Sequence, residues 1–225
     1  MMTAVTENIR VLRFRNSLLG TQLGRTVTVI TLQSGAIVVH STAPFSPADV
    51  REISAHGQPV TLLEATLFHD TFARAGRAAF PQARYLVPEG FPKLPGRETE
   101  TLPPIFAEWQ GELEVMRLEG MPKVREHVCL HVPTRTLVVA DLVFNFGPSS
   151  TRWTRFFFRH VSGIRSYPGV SRIFRAMIRD RAAFAQSVRR MLAWDFDRVI
   201  VGHGEIIETG GKDRLAAALA PVISG

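Results

Sequence analysis

Three apolar runs in this chain each deliver a side chain able to ligate a metal. VTLLEATLF leads into His69, TLVVADLVF carries Asp141, and RVIVGHG presents His203 between two glycines. Two imidazoles and one carboxylate form a donor set that holds zinc, iron(II) or manganese and leaves positions open for a substrate or water. Two more carboxylates lie close in sequence: Glu64 inside the first run and Asp70 directly after His69. Either suits a general base or a group that orients a ligand, and Asp70 could equally be a fourth ligand. A plain structural reading stands beside each. A histidine in a GHG turn can hydrogen-bond backbone carbonyls, Asp141 can brace a loop, and His69 can satisfy groups at a helix start.

The elements that must position these residues follow from the apolar pattern. Residues 26–32 and 36–41 read as a β-hairpin around Gln33-Ser34-Gly35. Ser46 then caps a helix with Pro47 at its first position and Gly57 as its stop. A strand is expected at 60–64, a helical stretch containing His69 as far as about Ala79, and a strand at 83–89. Residues 90–111 are rich in Pro and charge and read as an irregular excursion, after which 111–120 and 125–146 hold three strands. Within these, His127 and His131 share a face and read as a cross-strand surface pair. Strands alternating with helices argue for an α/β layered architecture, and 225 residues suit one domain spanning 1–225.

Composition sets the outer bounds. With 45% hydrophobic and 21% charged residues, the chain has the make-up of an ordinary globule. The lone cysteine, Cys129, excludes an intramolecular disulfide and a cysteine-rich zinc module, and it reads as a small core residue. No apolar stretch is long enough to span a bilayer, and the arginine-bearing N-terminus has no apolar core of a secretory signal, so a cytoplasmic protein is expected. The positive charge is concentrated. Residues 151–194 hold ten arginines against one acid, Asp180, within an arginine-rich helical insertion at about 148–194. There the run 171–196 has the spacing of one amphipathic helix with a basic face. It reads as a core-packing helix with arginines outside, or as a docking surface (residues 152–190) for nucleic acid, an anionic membrane or an acidic substrate.

At these motifs the chain resembles the metallo-β-lactamase superfamily. AAFPQARYLVPEG is similar to the segment that follows that family's first metal motif, and it sets the register. Counting back from Phe80 places the motif's first histidine at Glu64, its second at Thr66, its aspartate at Phe68 and its last histidine at His69. The third-signature histidine falls near Pro122 or Lys123, with Glu126 and His127 a few residues on. Asp141 in VVADLVF and His203 in VIVGHGEII match the fourth and fifth signatures. The resemblance implies an αββα sandwich with a degenerate metal site. Too few ligands remain for a binuclear centre, and His69, Asp141 and His203 suffice for one divalent ion or have lapsed to none. Two functions are then open. One is a mononuclear metal-dependent hydrolase of an ester, thioester, lactone or phosphoester, its small anionic substrate drawn in by the basic segment. The other is a non-catalytic binding protein that uses Arg152, Arg155, Arg159, Arg172, Arg175 and Arg179. Nucleic-acid processing is a weaker third, and a homo-oligomer is compatible with all three.

Overall fold

The computed structural model describes residues 1–94 and 98–223. It opens with six strands: β1 (Thr3–Ala4), β2 (Ile9–Phe14), β3 (Ser17–Leu18), β4 (Thr21–Gln22), β5 (Arg25–Thr31) and β6 (Ala36–His40). Helix α1 (Pro47–Ser54), β7 (Gln58–Leu63), a 3-10 turn (Leu67–His69), α2 (Ala73–Ala79) and β8 (Arg84–Pro88) come next. The second half runs through β9 (Glu100–Leu102), β10 (Ile105–Phe106), β11 (Leu113–Arg117), β12 (His127–His131) and β13 (Thr136–Val139). It closes with α3 (Arg152–His160), α4 (Arg172–Ala176), α5 (Arg181–Ala193), β14 (Arg198–Val201) and α6 (Gly211–Ile223).

Two sheets carry the fold. One is ordered β1-β2-β5-β6-β7-β8-β9 and the other β10-β11-β12-β13-β14, with β3 and β4 as a separate hairpin. Both faces of each sheet are covered, which is why every residue of β12 and β13 is buried. Between the sheets, Ile9, Ile30, Val38, Leu63 and Leu86 meet Leu113, Val115, Cys129, Val138 and Ile200. The lone cysteine is thus a core residue. Outside the first sheet, Val27, Val29 and Leu62 pack with Ile53 of α1 and Ala73 of α2. Outside the second, Leu137, Val139 and Val199 pack with Phe184, Val188 and Met191 of α5 and Leu215 and Leu219 of α6. Helix, sheet, sheet, helix is the αββα sandwich, and each large side chain fully buried in it contributes roughly 1.5–3 kcal/mol.

Local signals held where they were strongest. Ser46 and Asp49 form a reciprocal capping box, with Asp49 Oδ2 accepting from the Ser46 N–H at 2.8 Å and Ser46 Oγ from the Asp49 N–H at 3.2 Å. One segment carried no expectation, and three expectations are corrected. The N-terminal residues are strands, with Ile9, Val11 and Leu12 buried, despite the arginines between them. The run 171–196 is two helices, because the Gly120 carbonyl accepts the N–H groups of Arg179 and Asp180 at 2.8 and 3.2 Å, and Asp180 caps a new helix at Ala183 N. The excursion at 90–111 contains β9 and β10, though residues 95–97 of it lie outside the described residues. His127 and His131 are buried rather than a surface pair.

Candidate metal centre

The register of two parallel strands brings the first ligand pair together. Val139 of β13 is level with Val201 of β14, and the ladder continues one step as the Gly202 N–H donates to the Ala140 carbonyl at 3.2 Å. Asp141 and His203 are the next residues on each strand, so they leave the sheet side by side. Gly202 and Gly204 are both required. A Cβ on Gly202 would stand 2.5 Å from the Ala140 carbonyl oxygen, and Gly204 combines φ +110° with a Cβ position 2.2 Å from the Asn145 oxygen.

His69 arrives from the other sheet. After β7 the chain is tied across to the second sheet, with Leu67 N and Thr66 Oγ1 donating to the Val124 carbonyl and His127 N to the Ala65 carbonyl. The expected helical stretch is here a single 3-10 turn, separated from α2, and His69 is its last residue. Its Nε2 lies 3.5 Å from Asp141 Oδ2, while His203 Nε2 lies 3.2 Å from Asp141 Oδ1. One ligand atom from each of the three residues lies within 4.8 Å of the others, and all three residues are buried. No other such group occurs among the described residues.

The hydrogen bonds on the far sides of the rings decide what these atoms want. His203 Nδ1 is 2.7 Å from the Gly24 carbonyl, which can only accept, so Nδ1 carries a proton and Nε2 is the nitrogen turned toward Asp141. His69 Nδ1 is 2.7 Å from Ser41 Oγ, and burial, with Arg25 nearby, pulls its pKa down to about 4, so this ring is neutral at pH 7. Ser41 holds this place at φ +71°, a strained conformation for a residue with a side chain. His69 Nε2 and Asp141 Oδ2 are buried with no hydrogen-bond partner. Two imidazole nitrogens and a buried carboxylate turned toward one another, with His69 Nε2 and Asp141 Oδ2 left unpartnered, form a donor set that can coordinate a single divalent metal. Burial opposes ionisation of Asp141, but its two histidine neighbours outweigh burial and hold its carboxyl below the usual range.

Supporting residues appear that spacing did not single out. Glu126, fully buried, accepts the backbone N–H groups of Ala140, Asp141 and Leu142, each at 3.0 Å. Burial and the adjacent Asp141 charge push it up to about 8. Phe144 stacks on the His203 ring at 5.5 Å with an interplanar angle of 10°. Arg25 is 2% exposed, lies over the Phe72 ring at 5.6 Å, and has no partner at Nε or Nη1. Burial lowers its pKa, opposed by the charges of Glu64, Asp141 and Asp70.

The two sequence candidates for proton handling part company. Glu64 is fully buried, its Oε1 accepting from Thr42 N, Thr42 Oγ1 and Tyr85 Oη, and burial lifts it to about 7. Asp70 is exposed at the end of the 3-10 turn beside His69. Neither joins the ligand group. Beside His203 lies a cavity of about 150 Å³ lined in part by Arg13, Gly24, Arg25, Gly204 and Glu205. A groove of about 630 Å³ shares Arg13, Phe14, Gln22 and Gly24 with it and adds Arg15. The arginines of this cleft come from the N-terminal strands and not from the insertion.

No protein-family model matches the chain, and no curated protein matches it. Solved structures do. DIM-1 metallo-β-lactamase aligns over 100% of this chain and 95% of its own, at 16% identity and a TM-score of 0.65. A metallo-β-lactamase from Pontibacter korlensis aligns over 100% and 99%, at 13% identity and a TM-score of 0.65. The Flv1 flavodiiron core from Synechocystis aligns over 100% of this chain and 60% of its own, at 11% identity and a TM-score of 0.66. At these identities the likeness is one of architecture: the chain has the αββα fold of the metallo-β-lactamases, and His69, Asp141 and His203 form a three-residue group able to hold one metal ion.

Proposed function

We propose that this chain is a mononuclear metal-dependent hydrolase of an ester, thioester, lactone or phosphoester. The observation that carries the reading is the convergence of His69 Nε2, Asp141 Oδ2 and His203 Nε2, two of them buried without any hydrogen-bond partner. These three residues would hold one zinc, iron or manganese ion. When bound, such an ion supplies Lewis acidity and brings the ionisation of water toward neutral pH. The names of two matched proteins, both metallo-β-lactamases, support a metal-dependent reaction.

The chain's own residues do the rest. Gly24 and Ser41 fix the two imidazoles with Nε2 turned inward, and Glu126 fixes the backbone that carries Asp141. Asp70, exposed and next to His69, takes the proton from the incoming water, and that proton passes to the leaving oxygen or sulfur as the scissile bond breaks. Glu64, too deep to meet substrate, acts on the site through the charge of Arg25. Arg13 and Arg25, lining the cleft, favour an anionic substrate.

Elemental analysis of untagged protein, purified without chelator, tests this. About one equivalent of zinc, iron or manganese is expected, and His203→Ala abolishes it. Unchanged stoichiometric uptake by that variant, or no uptake by the wild type after reconstitution with each ion, overturns the proposal. A metal-loaded protein is then screened against esters, thioesters, lactones and phosphoesters.

A further inference from the structure

We propose that α3 and the β3–β4 hairpin form a docking surface for an anionic lipid bilayer. Helix α3 has two unlike faces. Phe157 and Phe158 turn inward onto Phe144, Phe146 and Ile164. Trp153 and Phe156 turn outward, 48% and 52% exposed, and stack on each other at 5.7 Å, with Phe156 lying 4.7 Å from the His160 ring. The hairpin extends this apolar ridge. Trp153 Nε1 donates to the Leu19 carbonyl at 3.2 Å and Gln22 N to Thr154 Oγ1 at 2.9 Å, which fixes Leu18 (48% exposed) and Leu19 (73% exposed) beside the helix. Further along the insertion, Val161 and Ile173 are also exposed, flanking the bond from Arg172 N to the Ser162 carbonyl. An indole with its N–H engaged and its ring bare, next to exposed Leu and Phe, has the chemistry of a bilayer interface.

The charge around the ridge names the partner. Arg152, Arg159, Arg165 and Arg172 are exposed, and no acid occurs from 151 to 179. Among the described residues, every arginine ion pair involves Arg84, Arg117, Arg125, Arg135 or Arg198. None of the ten arginines of 151–194 has an acidic partner among the described residues. Arg155 is occupied differently, donating to the carbonyls of Gly147, Pro148 and Ser150. Unpaired cations around an apolar ridge complement anionic headgroups over acyl chains. A nucleic acid would answer the cations and stack on Trp153 and Phe156. It has no use for the exposed aliphatic side chains of Leu18, Leu19, Val161 and Ile173, which decide for lipid. No helix among the described residues is long and apolar enough to cross a membrane, so the surface lies on the bilayer.

The test is co-sedimentation of the full chain with vesicles of phosphatidylcholine alone and with phosphatidylglycerol mixed in. The expected result is binding to the mixed vesicles only, released by salt, with tryptophan emission moving to shorter wavelength. Trp153→Ser with Phe156→Ser weakens binding by roughly tenfold or more and removes the emission shift, while Trp109 and Trp194 remain. Each arginine near an anionic surface is worth about fivefold, so Arg152→Gln with Arg159→Gln weakens binding by about 25-fold without touching the aromatics. All four substitutions are of exposed side chains, and circular dichroism melts unchanged from wild type verify the fold. No binding to mixed vesicles at low salt overturns the proposal, as does binding that neither pair of substitutions weakens. Two further results would also overturn it. One is preference for a single-stranded oligonucleotide over the vesicles. The other is a dimer in sedimentation equilibrium that Trp153→Ser with Phe156→Ser dissolves.

Discussion

Glu126→Gln isolates the contribution of a residue that touches no ligand atom of its own. Above about pH 8, where Glu126 is ionised, its carboxylate receives Ala140 N and Leu142 N on one oxygen and Asp141 N on the other, each at 3.0 Å, at a position with no solvent access. Glutamine keeps the volume but replaces one of those oxygens with an NH₂ group. Whichever way the amide turns, at least one backbone N–H then faces a donor. A buried group left unsatisfied in this way costs about 1–3 kcal/mol. For a chain of this length each kcal/mol moves Tm by roughly 2–4 °C, so a fall of about 2–12 °C is expected. The second effect is specific. Freed of its anchor, Asp141 holds its carboxylate less firmly, and metal affinity drops by roughly 10–100-fold. Zinc affinity is read by competition with a chromophoric chelator on folded protein. Leu219→Ala, in the core between α6 and the second sheet, is the control: it costs about 2–5 kcal/mol and leaves zinc affinity unchanged. If Glu126→Gln lowers Tm yet binds zinc like the wild type, the positioning role of Glu126 is refuted.

Gly204→Ala is expected to destabilise by about 2–3 kcal/mol or more, since it combines a left-handed φ with a Cβ 2.2 Å from the Asn145 oxygen, and a urea midpoint equal to the wild type would contradict the strain argument. The metal-free protein should be most stable near pH 6.5. Burial holds His40, His69 and His127 down to about 3, 4 and 4 and lifts Glu64 and Glu126 to about 7 and 8. Between about pH 6.5 and 4.5 the unfolded chain takes three histidine protons that the fold refuses, against two glutamate protons that only the fold retains. Stability therefore falls by about 1.4 kcal/mol per unit as pH drops. Above pH 6.5 the histidines are neutral in both states and the glutamates remain, so stability declines again as pH rises toward 8; urea midpoints that climb steadily from pH 5 to 8 would contradict this assignment. His203→Ala, as above, is expected to lose its metal.

The strands and their polar ends were legible because each apolar run is continuous and a charge or histidine beside it is conspicuous. That reasoning found His69, Asp141 and His203, and the similarity of AAFPQARYLVPEG to a family segment supplied the sandwich. Glu126 was not legible as a support, because the backbone groups it holds are 14–16 residues away and nothing local marks them. Nothing in the sequence singled out Arg25, because its burial at the site depends on the long-range approach of Phe72 and on the Gly24 contact with His203. IRVLRF hid a strand because Arg10 and Arg13 interrupt its apolar pattern, and β1 and β5 supply what completes it. The break between α4 and α5 had one local sign, Asp180 as a capping residue, but its cause is the Gly120 carbonyl on a distant loop.

The level register of Val139 and Val201 has a consequence for how this site can change over generations. The separation of Asp141 from His203 is set by the ladder between two neighbouring strands and owes nothing to the length of chain joining them. The exposed face of the crossover, with Arg152, Trp153, Phe156 and Arg159, can therefore be recharged without retuning the spacing of Asp141 and His203, while Phe144, Asn145 and α5 stay tied to His203, Gly204 and the second sheet.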